Sequence, residues 1–167
     1  MPSHFDLTME VTVTLASHLK GVSASVLAAF VRKAHRAIGL KGGIGIRVTS
    51  NAEIRKMNRW FRDHDKATDV LSFVTETIPD YAGDIVISAE VARANAIALE
   101  HSLREELQVL ALHGMLHLAG FDHENDKGEM AARESRLRKR FGLPSTLTER
   151  AAVRGRTSRN RVRTGTR

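Results

Sequence analysis

The strongest constraint in this chain is a short segment with three histidines, HGMLHLAGFDH, at residues 113–123. His113 and His117 are four residues apart, so a helix through this segment would place both side chains on one face. Gly120 tolerates the left-handed conformation that ends many helices, and a turn there would bring His123 back toward the other two. Three neutral imidazoles suit Zn²⁺ and leave a fourth position for water, as in catalytic sites. We therefore predict a catalytic metal centre at His113, His117 and His123.

This segment has two other interpretations. A lone histidine on an apolar helix is usually a simple packing residue, but a pair four residues apart, followed by Gly and a third His, favours a metal site. The spacing H-x3-H-x2-G-x2-H is also that of the metzincin metalloproteases, which carry a Glu general base directly after the first His. Gly114 occupies that position here. The sequence thus predicts a metal site without the base that a peptidase of this class needs.

The same segment is similar to the HGxLHLxGxDH signature of the YbeY family, bacterial metal-dependent endoribonucleases of ribosomal RNA maturation. Residues 61–73, FRDHDKATDVLSF, resemble the R-G-K-D-x-P-T-D/N-V-L-S-F block of that family. Residues 83–88, GDIVIS, resemble its GDIxIS strand. The order and separation of the three segments also fit, so that the resemblance covers residues 8–141.

The resemblance implies a hydrolase specific for single-stranded RNA, acting in ribosomal RNA processing and ribosome quality control. Its implied partners are ribosomal RNA and the ribosome. The cofactor expected from the three histidines themselves is one Zn²⁺ ion per chain, although imidazoles also suit Ni²⁺, Cu²⁺ or Fe²⁺. The chain departs from the family pattern at Asp63 and His64, where Gly-Lys is usual, and at Ala67, where Pro is usual. These departures affect the shape and charge of one loop. A non-catalytic ribosome-assembly factor with a structural metal is the main alternative function.

A second polar segment, Arg59 to Asp69, precedes the predicted strand VLSFV and is expected to be a loop that carries function. Arg62 is the candidate for phosphate recognition because a guanidinium group matches phosphate oxygens bidentately. From the residues alone, a solvated turn in which Asp65 or Asp69 caps backbone amides is equally compatible. The resemblance favours Arg62 as catalytic and substrate-binding, with Arg59 as a second substrate-binding residue and His117 as both ligand and catalytic residue.

Two aromatic residues and two further polar residues near these segments were assigned less specific roles. Trp60 and Phe61 are expected in the core, although they could stack a base. Asp122, beside His123, is a candidate for orienting a ligand histidine or handling a proton. His64 could approach the site from the loop, but a single loop histidine is more often simply exposed.

Composition predicts one globular domain with no membrane span. The chain has 167 residues, 42% of them hydrophobic and 27% charged. No apolar run approaches the ~20 residues that cross a membrane, and the first residues lack the pattern of a signal peptide. The absence of cysteine excludes disulfides and thiolate metal ligands. These features favour the cytoplasm.

The net charge of +7 lies entirely in the last residues. Of the 26 Lys and Arg residues, seven fall in residues 150–167, which contain no acid, and the remaining 19 equal the 19 Asp and Glu. We therefore predict a domain at residues 1–148 and a basic, disordered tail at 149–167. The tail could bind RNA by counterion release, or it could merely add solubility.

Hydrophobic periodicity predicts short strands interleaved with helices. Residues 8–15 alternate apolar and polar side chains, as a half-buried strand does. Ser102 and Glu105 form a capping box at the start of the histidine helix. The fold class expected is α/β (α+β), a mixed sheet of about four strands packed with helices, with the histidine helix central. Other predicted strands are 44–49, 70–74 and 84–88, and other helices start near Ser23, Asn51, Ser88 and Asp126.

Overall fold

The computed structural model of this chain describes residues 9–16, 19–122 and 124–145. The basic tail predicted at 149–167 and the third candidate ligand, His123, lie outside the described residues. No helix in the described part of the chain is both long and apolar enough to cross a membrane. The elements, in chain order, are β1 (Val11–Leu15), α1 (Ala24–Ile38), β2 (Gly43–Thr49), α2 (Asn51–Arg62), β3 (Val70–Val74), β4 (Tyr81–Ser88), α3 (Ala89–Ala98), α4 (Leu103–Leu118) and α5 (Glu129–Phe141).

The four strands form one mixed sheet in the order β1-β2-β4-β3. β1 and β4 both run parallel to β2, and β3 runs antiparallel to β4. In this register Ile85 of β4 lies between Ile46 of β2 and Ser72 of β3. The mixed four-stranded sheet packed with helices confirms the predicted fold class.

Successive residues of a strand point to opposite faces of the sheet, and each face here has its own apolar cluster. Ile85 and Ile87 of β4 belong to the main core, which also holds buried residues of α1, α3 and α4. Val86, between them, packs instead in a second cluster with Leu71 of β3 and Ile54 of α2. Helices therefore cover both faces of the sheet. The helix that covers the face with the smaller cluster is α2.

The histidine helix α4 begins with the predicted capping box. The Ser102 hydroxyl accepts a hydrogen bond from the Glu105 backbone N–H at 3.1 Å, and the Glu105 carboxylate accepts one from the Ser102 N–H at 2.8 Å. Eleven of the 16 residues of α4 are buried, and the helix contacts α1, α3, α5, β3 and β4. Gly120 follows the helix with φ of 93°, in the left-handed region that the sequence analysis expected. α4 is thus held on several sides, which fixes the side chains it carries.

Two helix boundaries differ from the sequence prediction. Ser50, rather than Asn51, caps α2, since its side chain accepts a hydrogen bond from the Glu53 N–H. α2 then continues through Arg62 and ends at Asp63, which is left-handed with φ of 56°. The residues Arg59 to Arg62, predicted to belong to a loop, are therefore helical.

The last helix, α5, begins at Glu129 rather than near Asp126. The Asp126 carboxylate accepts hydrogen bonds from the backbone N–H groups of Gly128 at 2.7 Å and Met130 at 2.8 Å. Asp126 therefore accepts hydrogen bonds from backbone N–H groups at the start of α5, although it lies outside the helix. This is why the sequence pattern predicted a helix start three residues too early.

Candidate metal centre

His113 and His117 lie one turn apart on α4, and their side chains converge. The two Nε2 atoms are 3.2 Å apart, and the rings meet edge to face with centroids separated by 4.8 Å. Two nitrogens bound at about 2.0–2.1 Å to one tetrahedral ion are about 3.3 Å apart. The observed separation therefore fits two imidazoles that share one metal ion. Among residues 9–16, 19–122 and 124–145, no group of three His, Asp or Glu residues could hold a metal ion.

Glu134 of α5 orients the first of these histidines. Its Oε2 lies 2.9 Å from Nδ1 of His113. A carboxylate can only accept, so Nδ1 carries the proton, and the lone pair at Nε2 of His113 is left facing His117. A carboxylate on the far nitrogen is the usual support of a metal-binding histidine. Glu134 was not predicted from the sequence, because no local pattern links a residue of α5 to His113.

Glu134 is buried and remains ionised because of its two partners. Burial opposes its ionisation, but the hydrogen bond from His113 and the charge of Arg138 outweigh it and lower the pKa of Glu134. Arg138 donates from Nε to Oε1 of Glu134 at 2.9 Å and from Nη2 to the same oxygen. The side chain of His113 is 29% exposed, whereas those of Glu134 and Arg138 are 8% and 12% exposed. The imidazole is thus accessible, and the groups that orient it are shielded.

Gly114, which replaces the peptidase glutamate, lies where α4 contacts the sheet. A Cβ atom at this position would be only 2.8 Å from Cγ2 of Ile85, a fully buried residue of β4. The Gly114 carbonyl also accepts a hydrogen bond from the Ser72 hydroxyl of β3 at 3.2 Å. Position 114 therefore faces the core and has no space for a general base.

Arg62 contacts β3 at Ser72, the residue that also donates to the Gly114 carbonyl. Its Nη2 donates to the Ser72 carbonyl oxygen at 3.4 Å, while the Ser72 hydroxyl donates to the backbone next to His113. Arg59 is three residues earlier on α2, so the two side chains leave the helix from neighbouring positions on one side. Both arginines are exposed. The structure thus connects Arg62 through Ser72 to the histidine helix, and it places Arg59 beside Arg62.

The loop after α2 is ordered by ionic and hydrogen-bonding contacts. Arg55 forms a two-pronged ion pair with Asp65, at 2.9 Å and 3.1 Å, which lowers the pKa of that carboxyl group. The Asn58 amide donates to the Lys66 carbonyl at 2.9 Å, and the Asp69 carboxylate accepts from the Val70 N–H at 2.8 Å. Asp69 therefore has the backbone-capping role considered for this segment.

Trp60 and Phe61 are not core residues, contrary to the sequence prediction. Trp60 is 74% exposed and Phe61 68% exposed. The reason is tertiary, since the apolar stripe of α2 packs on the sheet at Ile54 and Met57 but the last turn of the helix is exposed throughout.

The other two candidates lie in exposed turns. The Asp122 carboxylate accepts from the Glu124 N–H at 3.0 Å and from the Asn125 amide at 2.6 Å, so it organises the turn after α4. His64 is exposed on the loop after α2. The contacts of Asp122 and the exposure of His64 assign no catalytic role to either residue.

A cavity of about 570 Å³ adjoins the candidate centre and is lined in part by His113 and Arg138. A buried polar group forms another part of its wall. His101 Nε2 lies 2.6 Å from the Glu106 carboxylate, which also accepts from the Asn95 amide at 3.0 Å. The cavity therefore leaves open space beside His113.

The comparisons with known proteins cover the same part of the chain. The family model described as Endoribonuclease YbeY matches residues 8–142. The chain is 52% identical over 138 residues to Endoribonuclease YbeY of Koribacter versatilis, covering 83% of this chain and 90% of that protein. It is 50% identical over 104 residues to Endoribonuclease YbeY of Helicobacter pylori strain J99, covering 62% of this chain and 74% of that protein. The solution structure of TM1509 from Thermotoga maritima is similar with a TM-score of 0.50 and 26% identity, over 75% of this chain and 85% of that chain.

Proposed function

The chain belongs to the Endoribonuclease YbeY family, and from this premise we propose that it is a metal-dependent endoribonuclease specific for single-stranded RNA. The proposed process is ribosomal RNA maturation and ribosome quality control in the cytoplasm, with the ribosome as partner. The observation that carries the proposal is the 3.2 Å separation of the His113 and His117 Nε2 atoms, with Glu134 on the far side of His113. His123 is proposed as the third ligand, and one Zn²⁺ per chain as the cofactor.

The histidine side chains of the centre are already oriented for metal binding. Glu134 holds the Nδ1 proton of His113, so the Nε2 lone pair is available as a ligand. His117 contributes the second nitrogen from the next turn of the same helix. A zinc ion held by these histidines would supply Lewis acidity toward a phosphoryl oxygen and would lower the pKa of water toward neutrality. The absence of cysteine fits a site made of imidazoles.

Arg62 and Arg59 supply the positive charge that a phosphodiester substrate needs. The one hydrogen bond described for the Arg62 guanidinium goes to a neutral carbonyl oxygen, which does not cancel its charge. A guanidinium group aimed at the scissile phosphate stabilises the negative charge that grows in the transition state. We assign this role to Arg62 and a supporting phosphate contact to Arg59.

The contact between Gly114 and Ile85 argues against a peptidase. A glutamate at 114 would have to displace a fully buried isoleucine of β4, because even its Cβ atom would be 2.8 Å from that side chain. The fold therefore disfavours the general base that the metzincin mechanism requires.

Metal analysis beside an RNA cleavage assay tests this proposal. The purified chain should contain one equivalent of metal and should cut single-stranded RNA, and a chelator should abolish cleavage while circular dichroism shows a folded domain. His117→Ala should lose the metal and the activity, whereas the matched variant His64→Ala, at an exposed loop histidine, should keep both. Full metal occupancy in His117→Ala would exclude the ligand set. Unfolding on chelation would favour the assembly factor with a structural metal instead.

A further inference from the structure

The last turn of α2 has an unusual surface. Its four residues, Arg59 to Arg62, are all exposed, and the two in the middle are aromatic, with Trp60 74% and Phe61 68% exposed. Burial of a large apolar side chain stabilises a fold, so two aromatic rings left in water forgo that contribution. Exposed apolar groups rimmed by polar residues mark interaction surfaces. We call this four-residue turn the aromatic turn.

Contacts with the edge strand of the sheet hold the aromatic turn in place. The Phe61 ring meets Phe73 of β3 edge to face, with centroids 5.1 Å apart and an angle of 64° between the rings. Arg62 donates to the Ser72 carbonyl of the same strand. Phe61 is therefore fixed with most of its surface exposed, directly beside the arginine that we assign to the scissile phosphate.

The chemistry of the aromatic turn fits a flexible polyanion that carries flat rings. Arg59 and Arg62 flank Trp60 and Phe61 in sequence. The neighbouring carboxylate of Asp65 forms its ion pair with Arg55 and also lies within the electrostatic reach of Arg59, so Arg62 is the freer of the two arginines. Guanidinium groups bind phosphates, and exposed aromatic rings stack unpaired bases of any sequence. A purely apolar partner would leave the Arg62 guanidinium without an anionic contact. Charge complementarity thus favours single-stranded nucleic acid as the occupant.

We propose that Trp60 and Phe61 stack unpaired bases of the RNA strand whose phosphate Arg62 holds. Consecutive side chains on a helix diverge by about 100°, so each ring serves a different base. The inference rests on the proposed function for the identity of the substrate. It adds a source of specificity, because bases paired in a duplex cannot be splayed onto aromatic side chains.

Fluorescence of the full chain provides a direct test, because Trp60 is the sole tryptophan. The probe is an octamer of deoxyadenylate, which a ribonuclease acting through the 2′-hydroxyl or specific for RNA leaves uncut. The control ligand is an octamer of abasic deoxyribose phosphate with the same charge. Stacking should quench Trp60 fluorescence with the base-containing octamer and not with the abasic one. Equal responses to both octamers would overturn the proposal.

Variants then separate stacking from charge. Trp60→Ala and Phe61→Ala should each weaken binding of labelled single-stranded RNA by roughly 5- to 100-fold, as loss of one stacked base does. Trp60→Phe keeps a ring and should retain most of the affinity. Ile97→Ala, which removes an exposed apolar side chain of α3, should leave affinity unchanged. Metal content and circular dichroism should match wild type in all four variants.

The outcomes distinguish this inference from the proposed function. If the octamer quenches Trp60 but the chain cuts no RNA, the proposed function fails and the stacking surface stands. If the chain cuts RNA and both alanine variants bind and cut it with unchanged KM, the stacking proposal is wrong. Self-association of the wild type that Trp60→Ala abolishes, with RNA affinity unchanged, would assign the aromatic turn to a second copy of the chain and would also overturn it.

Discussion

The Glu134 carboxylate and the His113 imidazole are hydrogen bonded at 2.9 Å, although 21 residues separate them in the chain. The contact joins α5 to α4 and leaves the opposite nitrogen of His113 beside His117. Arg138 binds the other oxygen of Glu134, so that both carboxylate oxygens are engaged. Packing of α5 on α4 therefore decides the orientation of the first candidate ligand.

Replacing Glu134 with Gln should weaken metal binding by roughly 10- to 100-fold, because the histidine loses a charged acceptor on its far nitrogen. Glu129→Gln is the matched control, since Glu129 is an exposed acid on the same helix. Competition with a chromophoric chelator measures the affinity. Equal metal affinity in the two variants would show that Glu134 has only a packing role.

Arg62→Ala should keep the metal and the fold but lose cleavage by about a hundredfold, which is roughly 3 kcal/mol of transition-state stabilisation. Arg62→Lys should restore little, because the two-pronged guanidinium geometry is lost. Arg93→Ala, at an exposed arginine of α3, is the control. The measurement is the single-turnover rate on single-stranded RNA. A rate for Arg62→Ala within a few-fold of wild type would remove Arg62 from the mechanism.

Gly114→Ala should destabilise the fold, since the new Cβ would lie 2.8 Å from Cγ2 and 3.1 Å from Cδ1 of Ile85. Overpacking a core costs about 1–3 kcal/mol, and the gain of about 1 kcal/mol in helix propensity reduces the net cost to at most about 2 kcal/mol. Ile85→Ala removes the clashing atoms, so the double variant should be more stable than the sum of the single effects implies. Urea denaturation measures the cycle, and strict additivity would contradict the contact.

Glu105→Ala should remove the Glu105 half of the capping box of α4 and cost roughly 0.3–1.5 kcal/mol near neutral pH. The pKa of Glu105 is lowered by hydrogen bonds from the Ser102 backbone N–H and hydroxyl. A lowered pKa means that the contribution is fully present above the unfolded value of about 4.3 and is lost as the pH falls through the folded value. Thermal unfolding should therefore show a difference between wild type and Glu105→Ala that shrinks below about pH 4.3. Glu105→Gln keeps an acceptor oxygen, so its stability relative to Glu105→Ala should not depend on pH.

Truncation after Glu149 tests the predicted basic tail, which holds seven arginines. Metal content and thermal stability should not change, because the core residues lie earlier in the chain. RNA affinity should fall, and losing three or four phosphate contacts should lower the slope of log K against log salt by roughly 2 to 3. Cleavage at saturating RNA should persist. An unchanged slope would show that the tail does not contact RNA.

The sequence by itself determined most of the helices and strands and placed the first two candidate ligands on one face of a helix. Alternation and capping signals are local, which is why the strand at residues 70–74 and the capping box of Ser102 and Glu105 were predicted correctly. The spacing of His113 and His117 also depends only on the pitch of one helix. Their convergence in the structure therefore follows from the chain without knowledge of its neighbours.

Only the tertiary structure decided what surrounds those histidines. Glu134 approaches His113 because α5 packs on α4, and Gly114 is required because α4 passes closely over Ile85 of β4. Trp60 and Phe61 continue an apolar pattern that predicts burial, yet the last turn of α2 is exposed. These cases have one physical reason. Contacts between elements distant in sequence depend on how the helices pack on the sheet, and local periodicity carries no information about that packing.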